Sequence, residues 1–103
     1  MNASQDSIIA ARLSIQRALL GQISPLLRAA VFSIVGRDLD VRFYFDGFIS
    51  EADSESASCV ETEVMADYEA EDTVTVHCIR LDAPESINDD GVWVYQRREI
   101  SND

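Results

Sequence analysis

Two apolar runs joined by a short turn dominate the middle of this chain. Leu27 to Val35 is rich in β-branched and apolar residues, and Gly36-Arg37-Asp38 follows as a tight turn. Leu39 to Phe45 then alternates, with Val41, Phe43 and Phe45 on one side and Arg42 and Tyr44 on the other. Successive side chains of a strand point to opposite faces, so the pair reads as an antiparallel hairpin with one face buried. That face needs a cover, which the flanking segments supply.

Asp6 to Leu20 reads as a helix. Ile8, Ile15 and Leu19 share one side, and Ile9, Leu13 and Leu20 broaden it into the wide stripe of a packed helix. Ser4 or Asp6 can cap its start, Gly21 suits the position just past its end, and Pro25 marks the connection onward. Arg12 and Arg17 lie where a charged head reaches water over an apolar stem. Asp46-Gly47 ends the second strand, and Ser50 with Asp53 three residues later announces a second helix. From about Ser54 to Tyr68 the apolar stripe is Ala57, Val60, Val64 and Tyr68, with Glu55, Glu63 and Glu69 opposite.

Thr73 to Leu81 is a strand by its β-branched content, and Asp82 to Gly91 is a loop carrying Pro84 and Asn88-Asp89-Asp90-Gly91. The last strand, Val92 to Arg98, sets Val92 and Val94 against Trp93, Tyr95 and Arg97; with Trp93 in the core that phase would be reversed. The order α-β-β-α-β-β predicts an α+β two-layer sandwich. Two hairpins would form a four-stranded, mainly antiparallel sheet, with both helices on one face. One domain spans residues 1–103, with residues 1–5 and 100–103 expected to fray.

Charge is distributed unevenly. The formal net charge is −11, and from Phe43 to Ile79 there is no Lys or Arg among ten carboxylates. A charge run is often a solvated face. Solubility alone is usually achieved with mixed signs, however, and a one-sign surface steers an oppositely charged partner. The acidity argues against direct nucleic-acid binding, which needs a basic patch. No apolar stretch approaches the length of a membrane span, and no secretory signal pattern is present, so a cytoplasmic protein is expected.

No catalytic constellation assembles from the residues. His77 and Cys78 are neighbours on a strand and so face opposite ways, and nothing pairs Cys59 with His77. Two cysteines and one histidine fall short of a structural zinc site. The acidic stretch lacks the spacing of a calcium loop, and no Gly-rich phosphate loop is present. A binding protein with no cofactor or metal is expected rather than an enzyme. Its candidate contact residues are Glu55, Glu61, Glu63, Asp67, Tyr68 and Glu69 on the acidic helix. The aromatic residues Tyr44, Trp93 and Tyr95 form a second candidate set, since Tyr, Trp and Arg are enriched in binding hot spots.

Four strings carry a resemblance to a known group: Arg17-Ala18-Leu19-Leu20-Gly21, Phe43-Tyr44-Phe45-Asp46-Gly47, Glu61-Thr62-Glu63-Val64-Met65-Ala66-Asp67 and Val94-Tyr95-Gln96-Arg97-Arg98. In order and spacing they resemble small bacterial immunity-like proteins encoded beside polymorphic or contact-dependent growth inhibition toxins. The resemblance implies a cytoplasmic protein that binds one cognate toxin domain and blocks it, and such toxins are often nucleases with basic active sites. An acidic adaptor or nucleic-acid mimic that regulates a basic host protein is the alternative consistent with the same composition.

Overall fold

The computed structural model describes residues 4–99, and the remaining expected frayed positions lie outside that range. The elements are α1 (Gln5–Ala18), β1 (Leu27–Val35), β2 (Asp38–Phe45), α2 (Glu51–Met65), β3 (Thr73–Arg80) and β4 (Val92–Gln96). Their order is the expected one. Ser4 Oγ accepts from the Ser7 N–H at 3.1 Å and so caps α1. Ser50 Oγ accepts from the Asp53 N–H at 3.1 Å and caps α2 in the same way.

The sheet has the order β3-β2-β1-β4. β1 is antiparallel to both β2 and β4, whereas β2 and β3 run parallel. The first hairpin therefore forms as expected, and the second does not. A parallel neighbour needs a crossover long enough to bring the chain back, and α2 is that crossover. β3 thus becomes one edge of the sheet and β4 the other. The segment between them cannot be a tight turn, because it has to travel from edge to edge.

Both helices pack on one face. Ala11, Ile15, Ala18 and Leu19 of α1 and Ala57, Val60 and Val64 of α2 meet Leu27, Ala30, Phe32, Leu39, Val41, Phe43, Phe45 and Val74 in a single buried cluster. The stripe on α1 is narrower than its sequence suggests. Ile9, Leu13 and Leu20 are exposed, because no further element covers that flank among the described residues. On α2 the expected stripe is buried, and Tyr68 packs half-buried against the cluster just past the helix end.

The opposite face is covered over β1 as well. Ala29 and Val31 point away from the helices, yet both are fully buried beneath the segment linking β3 to β4. Arg28 is buried there too, donating to the Leu81 carbonyl at 2.6 Å and the Glu85 carbonyl at 2.8 Å. Gly91 lies so close that a Cβ would come within 2.6 Å of the Phe32 carbonyl oxygen and 2.9 Å of Val31 Cγ1. The fold is two layers of regular structure with a strap across its back.

The last strand carries a register shift between Ala30 and Val31: Ala30 pairs with Tyr95, but Val31 pairs with Trp93. One extra residue reverses the parity of a strand. Trp93 therefore shares the back face with Val31, while Tyr95 turns to the helix side and packs against the core cluster. The expectation that Trp93 and Tyr95 share one face is corrected by this bulge.

Candidate functional site

The acidic helix owes its position to its own apolar stripe. With Ala57, Val60 and Val64 inward, Glu51 and Glu55 lie one turn apart on the solvent side and Glu63 on its flank, all exposed. Ser58, Cys59 and Thr62 form a shallow groove beside Glu63. Glu69 is exposed in the turn after the helix. Among the described residues, the carboxylates of Glu51, Glu55, Glu63 and Glu69 have neither an ion-pair nor a hydrogen-bond partner.

Their freedom contrasts with the rest of the charge. Six of the eight arginines are held by carboxylates: Arg17 by Asp67, Arg28 by Glu99, Arg37 by Asp72, Arg42 by Asp89, Arg80 by Asp82 and Arg97 by Asp46. These pairs draw on acids of strand ends and loops and on none of α2. Among the described residues Asp6, Asp38, Glu85 and Asp90 are likewise without an ion-pair partner, but they are scattered, whereas those of α2 lie together.

Two candidates from the acidic stretch have work inside the fold. Asp67 Oδ2 accepts from Ser14 Oγ and from Arg17 Nη2, both at 2.6 Å, which ties the end of α2 to α1. These bonds, Ser14's first, hold its carboxyl below the usual carboxylate range. Glu61 Oε2 accepts from the Val76 N–H at 2.8 Å. β3 is an edge strand, so this carboxylate satisfies a backbone donor that no neighbouring strand can reach. Tyr68 lines a cleft of about 240 Å³ at one end of the sheet, with Ser7, Ile34, Arg37 and Asp72.

The second candidate set, the aromatics, divides. Tyr44 Oη donates to Asp89 Oδ2 at 2.7 Å, and Trp93 Nε1–H donates to the Asp89 carbonyl at 3.0 Å. Arg42 grips the same carboxylate with Nε at 2.9 Å and Nη2 at 2.7 Å, and also reaches Asp40 and Ser33. Arg42, above all, holds the Asp89 carboxyl well below the usual carboxylate range against the opposing effect of burial; Tyr44 and the Gly91 N–H reinforce it. Tyr44 and Trp93 thus fasten the strap, and Tyr95 belongs to the core side. Nothing in the turn sequence Asn88-Asp89-Asp90-Gly91 signals this role for Asp89, because Arg42 and Tyr44 are more than forty residues away in the chain.

Little supports chemistry. Both cysteines are free; Cys59 is exposed, and the half-buried Cys78 thiol is pushed up by burial and then by Asp53, the opposite of nucleophile activation. His77 Nε2 lies 2.6 Å from Asp40 Oδ1, with no hydroxyl or thiol hydrogen-bonded to the ring among the described residues. No group of three or more His, Cys, Asp or Glu is arranged to hold a metal ion among those residues. No described helix is long and apolar enough to cross a membrane.

No curated protein matches the chain. A family model described as "MafI2 immunity protein" matches residues 9–99, which takes in all four strands, α2 and most of α1. By this match over nearly its whole length the chain belongs to the MafI2 immunity protein family, the toxin-neutralising partners of polymorphic toxins.

Proposed function

We propose that this immunity protein neutralises its cognate toxin in the cytoplasm by laying the outer side of α2 on a basic, nuclease-type surface. In this reading Glu55, Glu63 and Glu69, with Glu51, take the places of substrate phosphates against arginines and lysines of the toxin. The observation that supports it is the set of unpartnered carboxylates gathered on α2 and the turn after it, in a molecule most of whose arginines are paired with acids elsewhere. Such a surface raises the rate of encounter and rejects wrong partners, while a few packed contacts set the lifetime of the complex. Glu61 and Asp67, engaged within the fold, act mainly by holding α2 in place. The protein acts by binding and carries out no reaction.

The test is a complex of the full chain with the toxin domain encoded beside it. Changing Glu55, Glu63 and Glu69 together to Lys should weaken binding by at least ~30-fold and abolish protection of cells expressing the toxin. The wild-type association rate should fall steeply as salt rises. Unchanged affinity in the triple variant, or an association rate indifferent to salt, removes α2 from the interface.

A further inference from the structure

The segment between β2 and α2 is held at almost every residue but one. Asp46 N–H donates to the Leu26 carbonyl at 2.9 Å, and its carboxylate accepts from Arg97 Nη2 at 2.7 Å and from the Ala83 N–H at 3.2 Å. Gly47, at φ +85°, takes a left-handed turn that side chains disfavour, and its N–H donates to Asp82 Oδ1 at 2.6 Å. Ile49 packs against the core, and Ser50 caps α2. Between these fixed points Phe48 stands 75% exposed. Core packing explains Ile49 and not Phe48. Leu26, whose carbonyl receives the Asp46 N–H, is exposed at the same end of the sheet.

We infer that Phe48 is the apolar anchor of the toxin interface, entering a hydrophobic socket on the toxin that is ringed by Arg or Lys. The inference rests on the acidic-helix reading and extends it to a residue outside the helix. Phe48 lies three residues before Glu51, so the ring and the unpartnered carboxylates of Glu51 and Glu55 follow one another along the chain. That sequence of one aromatic and then acids fits a socket with a basic rim, the charge complement of this surface. Affinity in interfaces concentrates in a few aromatic anchors surrounded by contacts of small individual effect. Because the backbone on both sides of Phe48 is already fixed, little ordering cost falls due when the ring docks.

The decisive experiment measures association and dissociation rates of the full chain with the co-encoded toxin domain, at low and high salt. Phe48→Ala should speed dissociation by about 30-fold and leave the salt dependence of association as in the wild type. Phe48→Leu should recover part of the loss, and the melting temperature of both variants should match the wild type, since the ring is exposed. A dissociation rate for Phe48→Ala within about threefold of wild type overturns the inference. Charge neutralisation by Glu55→Gln with Glu63→Gln separates the two proposals. If it leaves affinity and salt dependence intact, the acidic-helix reading fails, and Phe48→Ala on that background still decides the anchor alone. A wild-type dimer that Phe48→Ala dissolves while toxin binding persists would assign Phe48 to self-association and overturn the inference.

Discussion

Asp89 fastens the strap to both β2 and β4. Its side chain is only 6% exposed and pairs with an Arg42 that is 15% exposed, and the same residue accepts from Tyr44, Trp93 and the Gly91 N–H. Removing one member of a buried pair leaves the other charge without compensation, at a cost on the order of 3–5 kcal/mol. Arg42 would keep Asp40 and Ser33, so Asp89→Ala should lose about 3 kcal/mol, the low end. Urea unfolding of the variant checks the figure, and a loss below about 1 kcal/mol would mean that the strap is held by something else. If α2 is the toxin-facing helix, as proposed, toxin binding should persist in the folded fraction. Where a side chain's partner is near in sequence, as with Ser50 and Asp53, its role was readable from the residues. Where the partner is distant, as for Asp89 or Arg28, only the fold brings the two together.

Each edge of the sheet receives one side chain from a helix. Glu61 of α2 covers the Val76 N–H of β3, and Arg12 of α1 donates to the Trp93 carbonyl of β4 at 3.3 Å. Uncovered edges invite pairing with another chain. Glu61→Ala should therefore cost about 1.5 kcal/mol and leave β3 open to association, detectable as larger species by size-exclusion chromatography. Glu61→Gln, which keeps an acceptor, should retain most of the stability. Toxin affinity within about threefold of wild type in Glu61→Gln would mark this residue as a support of the helix rather than a contact, whereas a large loss would place it in the interface. The elements themselves were legible because their periodicities are strong: the alternation of Leu39 to Phe45 and the stripe of Ala57, Val60 and Val64 appear in the fold as read. Pairing between elements was less so. β3 has no feature that distinguishes a parallel neighbour from a hairpin partner, and a bulge in β4 leaves no mark on an alternating sequence.

For the molecule as a whole, charge and stability are linked through acid. The Glu99 carboxyl is held down to about 2 from an ordinary 4.5, chiefly by Arg28 and then by Arg97, with burial opposing them. Asp89, Asp82 and Asp67 are shifted in the same direction. Groups of this kind bind protons more readily in the unfolded chain, so stability rises with pH across the window in which the unfolded chain titrates. The Glu99 contribution should be complete above about pH 5 and decline as the pH falls below about 4.5, disappearing near pH 2. Urea midpoints measured from neutral pH downward should show that decline, with a shallower slope in Glu99→Gln; an identical slope would rule out Glu99 as a source. The acidic overall balance was plain from composition. The division of those acids into paired and unpaired sets was not, since it depends on which arginine each one meets.

That division gives α2 two independent scripts. Asp53, Ala57, Val60 and Val64 face inward, and Glu51, Glu55, Ser58, Cys59, Thr62 and Glu63 face outward without any internal duty among the described residues. Distant, uncoupled positions contribute additively to stability. Under the proposed reading of α2 as the toxin-facing helix, the outward letters can be rewritten for a different toxin while the inward ones go on specifying the same protein, so that a new lock and key need not mean a new fold.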